Sequence, residues 1–396
     1  MRDGGKGQER GCQSREHRVQ KTVTINFEDL LTPPKKKIYR MTTDFRVLRQ
    51  ISQQLAFPAF AKPEEVVAWM GAMQAQDYNM VKWAVGMRLK GEGGFSMVQK
   101  AFDEGKILRT HVMRPTWHIV PAEDIRWMCA LSASSLQATI RDKKRMAALL
   151  LSEDTFRKGC RLFEQHLAGT TGMTKDELEA IFVAEGIPCV TGTMYRLLMF
   201  AETIGLICSG IDQNGKPTYA LMDERVPPTP ERSREESIAL LAERYFRSHS
   251  PATLADFVWW SGLGIREARA GIEEIKGRLE LLTLQDTTYY LHTEAAALIS
   301  TPEAAVHLLP AFDEYTIAYK ERAEVIHEAG RGRNQCSKNG FFYPLIADQG
   351  NAVGLWKAEK KQKALSVTTT FFAPHLEPNS LLLQAATERY LSFWSK

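Results

Sequence analysis

The order of hydrophobic periodicities constrains this chain more than any single motif does. Three times, stretches with helical apolar spacing are followed by a pair of short β-runs. First, Phe45, Leu48, Ile51 and Leu55 make one buried stripe that Pro58 ends. Lys62-Pro63-Glu64-Glu65 opens a second helix, with proline and acids where a first turn favours them. A short helix over 95–102 leads to two β-runs in 107–120, bent at Arg114-Pro115. The order then returns. Residues 123–151 read as helical, Thr174-Lys175-Asp176-Glu177 is a capping box opening a helix to Glu185, and 191–204 is a further helix. The β-runs 206–208 and 218–221 flank a turn through 212–216. Beyond the linker Pro227-Pro228-Thr229-Pro230, helices over 235–246, 253–261 and 265–277 precede β-runs at 279–283 and 289–291. Helices followed by a hairpin are the winged-helix arrangement, so the expected fold class is α+β with three tandem winged-helix motifs. After Pro302 strands take over, at 307–309, 315–319, 341–346, 352–356 and 364–372, and a helix over 379–394 closes the chain. The expected division is a disordered basic tail 1–41, winged helices 42–122, 123–226 and 231–299, and a C-terminal β-domain 302–396 with its terminal helix.

The stretch 70–89 interrupts the rhythm. Val66, Trp69, Met70 and Met73 before its centre, and Trp83, Val85 and Met87 after it, carry apolar spacing. Gln74-Ala75-Gln76-Asp77-Tyr78-Asn79 between them is polar and rich in residues that stop or cap helices. Glutamines two apart do not share a face of a regular helix, so they meet one ligand only if the chain leaves the helix near Gln76. Asp77 and Asn79 are candidate caps for a second helix. The expectation is helix, break, helix, with two amides at the break. Buried amides need partners for two donors and an acceptor each. The pair therefore belongs either to a solvated turn or to a site where water or substrate completes the bonding.

Composition removes several function classes. With 44% apolar and 25% charged residues, the chain of 396 has the make-up of an ordinary globular protein, and no stretch approaches the run of about 20 apolar residues that spans a bilayer. The start of the chain has no apolar signal region, and Met41 is an alternative natural start. The six cysteines are scattered without C-x-x-C spacing, which argues against a disulfide framework or zinc site and suits a reducing cytoplasm. The histidines show no metal-ligand spacing, and neither a phosphate loop nor a nucleophile elbow is present; no metal and no cofactor are expected. The net charge of +4 misleads, because residues 1–40 hold ten Lys or Arg against five Asp or Glu, leaving the rest at −1. A nucleic-acid partner must then be met by local basic patches.

Such patches exist, each with an ordinary alternative. Arg109 and Arg114 on the first hairpin, Lys143, Lys144 and Arg145 in the densest basic run, and Arg322, Arg331 and Arg333 around a Gly/Arg-rich loop suit phosphate contact as well as a solvated surface. His118 is either a core histidine or a supporting site residue. The adjacent Asp313 and Glu314 suit acid–base work, or a turn before a strand.

Ordered motifs carry a resemblance to a known family. They are Met73-Gln74-Ala75-Gln76-Asp77, Arg109-Thr110 with Met113-Arg114-Pro115-Thr116-Trp117-His118-Ile119-Val120-Pro121-Ala122-Glu123-Asp124, Thr253-Leu254-Ala255-Asp256-Phe257 with Trp259-Trp260-Ser261-Gly262-Leu263, and Leu308-Leu309-Pro310-Ala311-Phe312-Asp313-Glu314-Tyr315. Asn339-Gly340-Phe341, Pro344, Val353-Gly354 and Trp356 follow. From about Thr42 to Lys396 the chain resembles the AlkZ-like bacterial winged-helix proteins, which include DNA interstrand-crosslink glycosylases. The resemblance implies three winged helices and a C-terminal β-domain forming a concave surface for double-stranded, damaged DNA. It implies that Gln74 and Gln76 match a catalytic Gln-x-Gln motif whose middle position, often bulkier, is here Ala75. Asp77 lies one place past the acid of a sister group's Gln-x-Asp and is carried, with His118, only as a supporting candidate. The implied activity is that of a monofunctional DNA glycosylase acting on N7-alkylated, including crosslinked, purines; the absence of zipper-like heptads and the scattered cysteines add the expectation of a monomer in the cytoplasm, at the nucleoid. A non-catalytic winged-helix DNA-binding protein or transcriptional regulator is the alternative.

Overall fold

A computed structural model describes residues 45–91, 93–284, 286–297, 302–331, 342–361 and 364–396. The expected tail 1–41 and Arg333 lie outside them. Helix α1 (Phe45–Ser52) is followed by α2 (Pro63–Met70), which stops at Gly71. Gly71 has φ 77°, and a Cβ there would stand 2.9 Å from Arg244 Cβ, so both conformation and space call for glycine. A break is there as expected, but the chain leaves the helix at Gly71 rather than near Gln76, and the break is itself ordered as a strand, β1 (Met73–Gln74). Helix α3 (Tyr78–Gly86) then starts on Asp77, whose carboxylate accepts from the backbone N–H groups of Asn79 (3.1 Å) and Met80 (2.9 Å). After α4 (Phe95–Asp103), the hairpin β2 (Ile107–His111) and β3 (Trp117–Pro121) turns through Arg114-Pro115. β1 pairs antiparallel with β3, giving the sheet order β1-β3-β2.

The expected helix over 123–151 is two helices, α5 (Ile125–Ile140) and α6 (Lys143–Ala148). They part where Asp142 accepts from Arg145 N at 3.0 Å and starts the second. Helix α7 (Glu153–Leu167) lies where the sequence pattern predicts no element. Its buried Phe156, Gly159, Leu162, Phe163 and Leu167 follow helical spacing, but a glycine and a histidine within it, and charges around it, dilute the pattern. Strand β4 (Met173–Thr174), α8 (Lys175–Ala184), α9 (Thr193–Thr203), β5 (Ile207–Ser209) and β6 (Thr218–Leu221) follow, and the sheet order is β4-β6-β5. Then come α10 (Met222–Arg225), α11 (Arg234–His249), α12 (Leu254–Ser261), α13 (Ile265–Glu274), the hairpin β7 (Leu279–Leu284) and β8 (Thr287–His292), and α14 (Thr293–Ala297). Here a single bridge, Ala252 to Tyr290, stands where the earlier sheets have a two-residue strand.

The last part holds β9 (Val306–Leu309), α15 (Glu314–Ile317), β10 (Leu345–Asp348), β11 (Asn351–Lys361), β12 (Ala364–Phe371) and α16 (Ser380–Ser395), with the four strands antiparallel in the order β12-β11-β10-β9. The strand expected over 315–319 is instead the short helix α15. Asp313 caps it by accepting from Tyr315 N at 2.9 Å, and both Thr316 N and Ile317 N bond to Asp313 O at 3.0 Å. Its β-branched and aromatic residues are buried all round, so packing overrides their strand preference.

One hydrophobic cluster runs without interruption through α2, α3, α4 and β3 into β9, β10, β11 and α16. Helix α3 is fastened along the segment 308–313: Trp83 Nε1 donates to Leu308 O at 2.7 Å, and the Arg88 guanidinium clasps Asp313 with bonds of 2.8 and 2.9 Å. Its other side is tied to the turn before β6, where Lys82 Nζ lies 3.0 Å from Asp212 Oδ2 and Tyr78 OH donates to the same carboxylate. Arg88 and Asp313 are both essentially inaccessible (0% and 1% exposed), so removing the cation strands a buried carboxylate. Arg88→Met is expected to cost about 3–5 kcal/mol in denaturant unfolding, while Lys62→Met, at the exposed pair with Glu65, leaves the midpoint near that of wild type. Equal midpoints for the two variants would refute the clasp's importance.

Candidate active site on a strand between two helices

The ladder of β1 continues past Gln74, because Ala75 N donates to Trp117 O at 2.7 Å. Gln74 ends the strand and Gln76 follows at a bend just past the last ladder bond, so neither glutamine sits in a helix. Ala75 is fully buried in the core. Its carbonyl accepts from Arg109 Nε at 3.0 Å, so the residue between the glutamines is pinned at both N–H and C=O. This corrects the reading of Arg109 as an exposed phosphate contact. It is buried, with its guanidinium 3.9 Å from the Trp117 ring centre, and its hydrogen bond braces the break.

The two amides differ. Gln76 is exposed and, among the described residues, no group bonds its side chain. Gln74 is 6% exposed, and its Oε1 accepts from Arg114 Nη2 at 3.0 Å. A guanidinium only donates, so this contact fixes which end of the amide is oxygen. The backbone N–H of Gln74 donates to Glu314 Oε1 at 2.6 Å. Glu314 is itself buried. Its Oε2 accepts from Trp260 Nε1 at 3.0 Å and stands 3.5 Å from His249 Nε2. Burial opposes ionisation of this carboxyl, but the His249 imidazole, the Gln74 N–H and the Arg114 guanidinium together hold it below its ordinary value. A carboxylate therefore lies behind Gln74 and a guanidinium beside it. In the sequence Glu314 stands out only as one of two adjacent acids, and its place in a motif of the same series as Gln-x-Gln is the one signal that links it to Gln74.

Arg114 is placed by the hairpin bend. Met113 N donates to Ser132 Oγ at 2.8 Å, and the end of α12 presses on Met113 O. Gly262 permits that approach: it has φ 71°, and a Cβ there would lie 2.5 Å from the carbonyl oxygen.

The remaining candidates take different places. His118, opposite Gln74 in the β1–β3 register, is fully buried with Nδ1 3.0 Å from Thr116 O. Burial, followed by the Arg114 charge, pushes its pKa down to about 3, so it is neutral near pH 7 and no proton donor to solvent. Asp77 is the helix cap. Lys143, Lys144 and Arg145 are exposed on α6. The field of Arg145 reaches Tyr195, whose ring packs 5.1 Å from that of Trp117 at the hairpin. Arg322 is held by its Nε on Thr316 O at 2.9 Å, and Arg331 by Nη2 on Ala323 O at 2.7 Å. A depression of about 960 Å³ adjoins the break, lined by Asp77, Asn79, Met80, Lys360, Tyr390 and Trp394 among others. Elsewhere Glu243, His292 and Glu294 come close enough to share an ion, but Arg278 Nη1 already lies 2.7 Å from Glu243.

His307 on β9 is also buried, and burial lowers its pKa to about 4. Both histidines titrate near 6.5 when unfolded. A depressed value means that only the unfolded chain takes up the proton just below 6.5, so stability is full above that pH and falls as pH drops toward 3–4. Each histidine is expected to remove roughly 2 kcal/mol by pH 5. Thermal melts at pH 7 and pH 5 test this: the gap should narrow in His307→Gln, and an unchanged gap contradicts the assignment.

Residues 67–393 match the family described as DNA glycosylase AlkZ-like. An interstrand DNA cross-link repair glycosylase of Streptomyces sahachiroi is 23% identical over 345 residues, covering 81% of this chain and 88% of that protein. Among solved structures, Streptomyces sahachiroi DNA glycosylase AlkZ shares the fold, with a TM-score of 0.70 at 19% identity over 89% of this chain and 97% of that one. The matched span contains β1, the first hairpin, α12 and the segment 308–315, the elements that build the break and its supports. The chain therefore belongs to the AlkZ-like family of DNA glycosylases, enzymes that hydrolyse N-glycosyl bonds.

Proposed function

We propose that this protein hydrolyses the N-glycosidic bond of N7-alkylated purines in duplex DNA, crosslinked ones included, with Gln74 and Gln76 positioning the attacking water. The observation that carries this reading is the break itself: two glutamines two residues apart outside any helix, Gln74 anchored by Arg114 and Glu314 and Gln76 open to solvent. In it the three helix-then-hairpin units are winged helices, the strand-rich C-terminal part completes a concave DNA surface, and the protein acts as a monomer.

The chemistry suits the groups present. A purine alkylated at N7 carries positive charge and leaves deoxyribose without prior protonation. What remains is to hold water beneath C1′ and to tolerate an oxocarbenium-like transition state, as in glycoside hydrolysis generally. Gln74 Oε1 has a second lone pair besides the one given to Arg114, and the Gln76 amide is open to solvent. Two amide oxygens orient the water, and their dipoles favour the positive charge that develops on the sugar. The Arg114 cation beside them is balanced by the Glu314 carboxylate behind, so the site does not repel that charge outright. Glutamine is a poor base and His118 is buried and neutral, so unmodified purines, which need protonation to leave, are spared. The open depression beside Asp77 suits a lesion with a bulky substituent.

Purified protein incubated with duplexes bearing N7-methylguanine, or a crosslink through N7, is expected to release base and leave abasic sites. Gln76→Ala should lower single-turnover excision by on the order of 10²-fold, with duplex affinity and melting temperature unchanged because the side chain is exposed. Full excision by that variant removes Gln76 from the mechanism. Tight, sequence-selective binding with no release from any lesion replaces the catalytic reading with that of a non-catalytic DNA-binding regulator.

A further inference from the structure

Helix α12 carries two consecutive tryptophans, and about 100° of helix rotation sends them in different directions. Trp260 is fully buried and donates its indole N–H to Glu314. Trp259 is 40% exposed, yet its Nε1 donates inward to Ile317 O at 2.9 Å. The polar edge of this indole is satisfied, its orientation is fixed, and what it offers to solvent is ring. Two guanidiniums stand over the ring, Arg114 Cζ 5.9 Å and Arg322 Cζ 5.3 Å from its centre. Arg322 also stands 5.0 Å from the Phe342 ring. Guanidinium–aromatic pairs are common surface features. This one differs in position, because Arg114 joins it directly to the Gln74 amide oxygen.

We propose that Trp259, with Arg114 and Arg322, is a binding site for a nucleobase unstacked next to the lesion, the indole stacking on the base while the guanidiniums meet the flanking phosphates. The proposal rests on the DNA glycosylase reading above and names how the duplex is held beside the glutamines. An indole stacks on any base, because each has a π-face, and guanidinium bonds to phosphate are charge-assisted. A base displaced by distortion at a bulky or crosslinked lesion therefore finds an aromatic platform one side chain away from Gln74. The platform is rigid before DNA arrives, since the Ile317 bond and the packing of α12 already hold it.

The test uses the full chain and two duplexes with one N7-methylguanine each, differing in the neighbouring pair, fully matched in one and mismatched in the other. A mismatched base is already partly unstacked and costs less to capture. Wild type is expected to bind the mismatched duplex more tightly. Trp259→Ala should lose that preference and weaken binding about 5- to 150-fold, while Trp259→Phe retains most of both. The single-turnover excision rate of bound substrate should change by only a few fold. The proposal is overturned if Trp259→Ala binds both duplexes within twofold of wild type. It is overturned equally if Ala and Phe variants lose affinity alike for both duplexes with a lowered melting temperature, the mark of a structural role. Base release by wild type in the same samples is scored separately: its absence removes the catalytic reading, whereas the affinity comparison still decides the fate of the stacking site.

Discussion

A buried carboxylate is costly unless hydrogen bonds fill its lone pairs, and Glu314 is held by the break it supports. Its oxygens take the backbone N–H of Gln74 and the indole N–H of Trp260, with His249 on the far side. The bond to Gln74 spans 240 positions of sequence. It anchors the strand that pairs with β3 to a distant part of the chain, and with the Trp260 bond it brings three of the ordered motifs onto one group. Around it, Trp83 from α3 and Arg88 just beyond that helix grip the same segment, and Arg109 grips the carbonyl of Ala75 from the other side. The glutamines are presented by a backbone whose neighbouring polar atoms are already engaged, so in the proposed reaction little is left to reorganise.

Much of this was legible in the sequence because it is local. The cap at Asp77 and the hairpin bend at Arg114-Pro115 follow from short-range rules about carboxylates and proline, whereas the helix expected to reach about Gln76 ends earlier, at Gly71. What was not legible is what depends on partners. A two-residue strand has no periodicity to detect, and β1 exists because β3 offers it a ladder. The segment 315–319 has strand-like residues but is wound into α15 by the Asp313 cap and by burial on every side. Arg109 looked like a surface cation because arginine usually is one, and only the fold shows Trp117 and Ala75 O waiting for it. The pairing of Glu314 with Gln74 lies beyond any local rule.

Charge tells a similar story. Counting Lys and Arg describes total charge, not charge available to DNA. Arg49, Arg88 and Arg109 are all buried, bonded to main-chain carbonyls or to Asp313. The cations left outside, on α6 above all, carry more of the local field than the near-neutral total suggests.

The hydrophobic cluster that runs from α2 into the C-terminal sheet has a genetic consequence. The glutamines belong to the first helix-and-hairpin unit, but the Glu314 carboxylate, the Trp260 indole and much of the core beneath them come from chain encoded far later. The break is thus no portable cassette. Grafted with only its flanking helices onto another scaffold, it would keep its residues and lose their geometry, so this site can be inherited only as a whole and diversified only at its open edge.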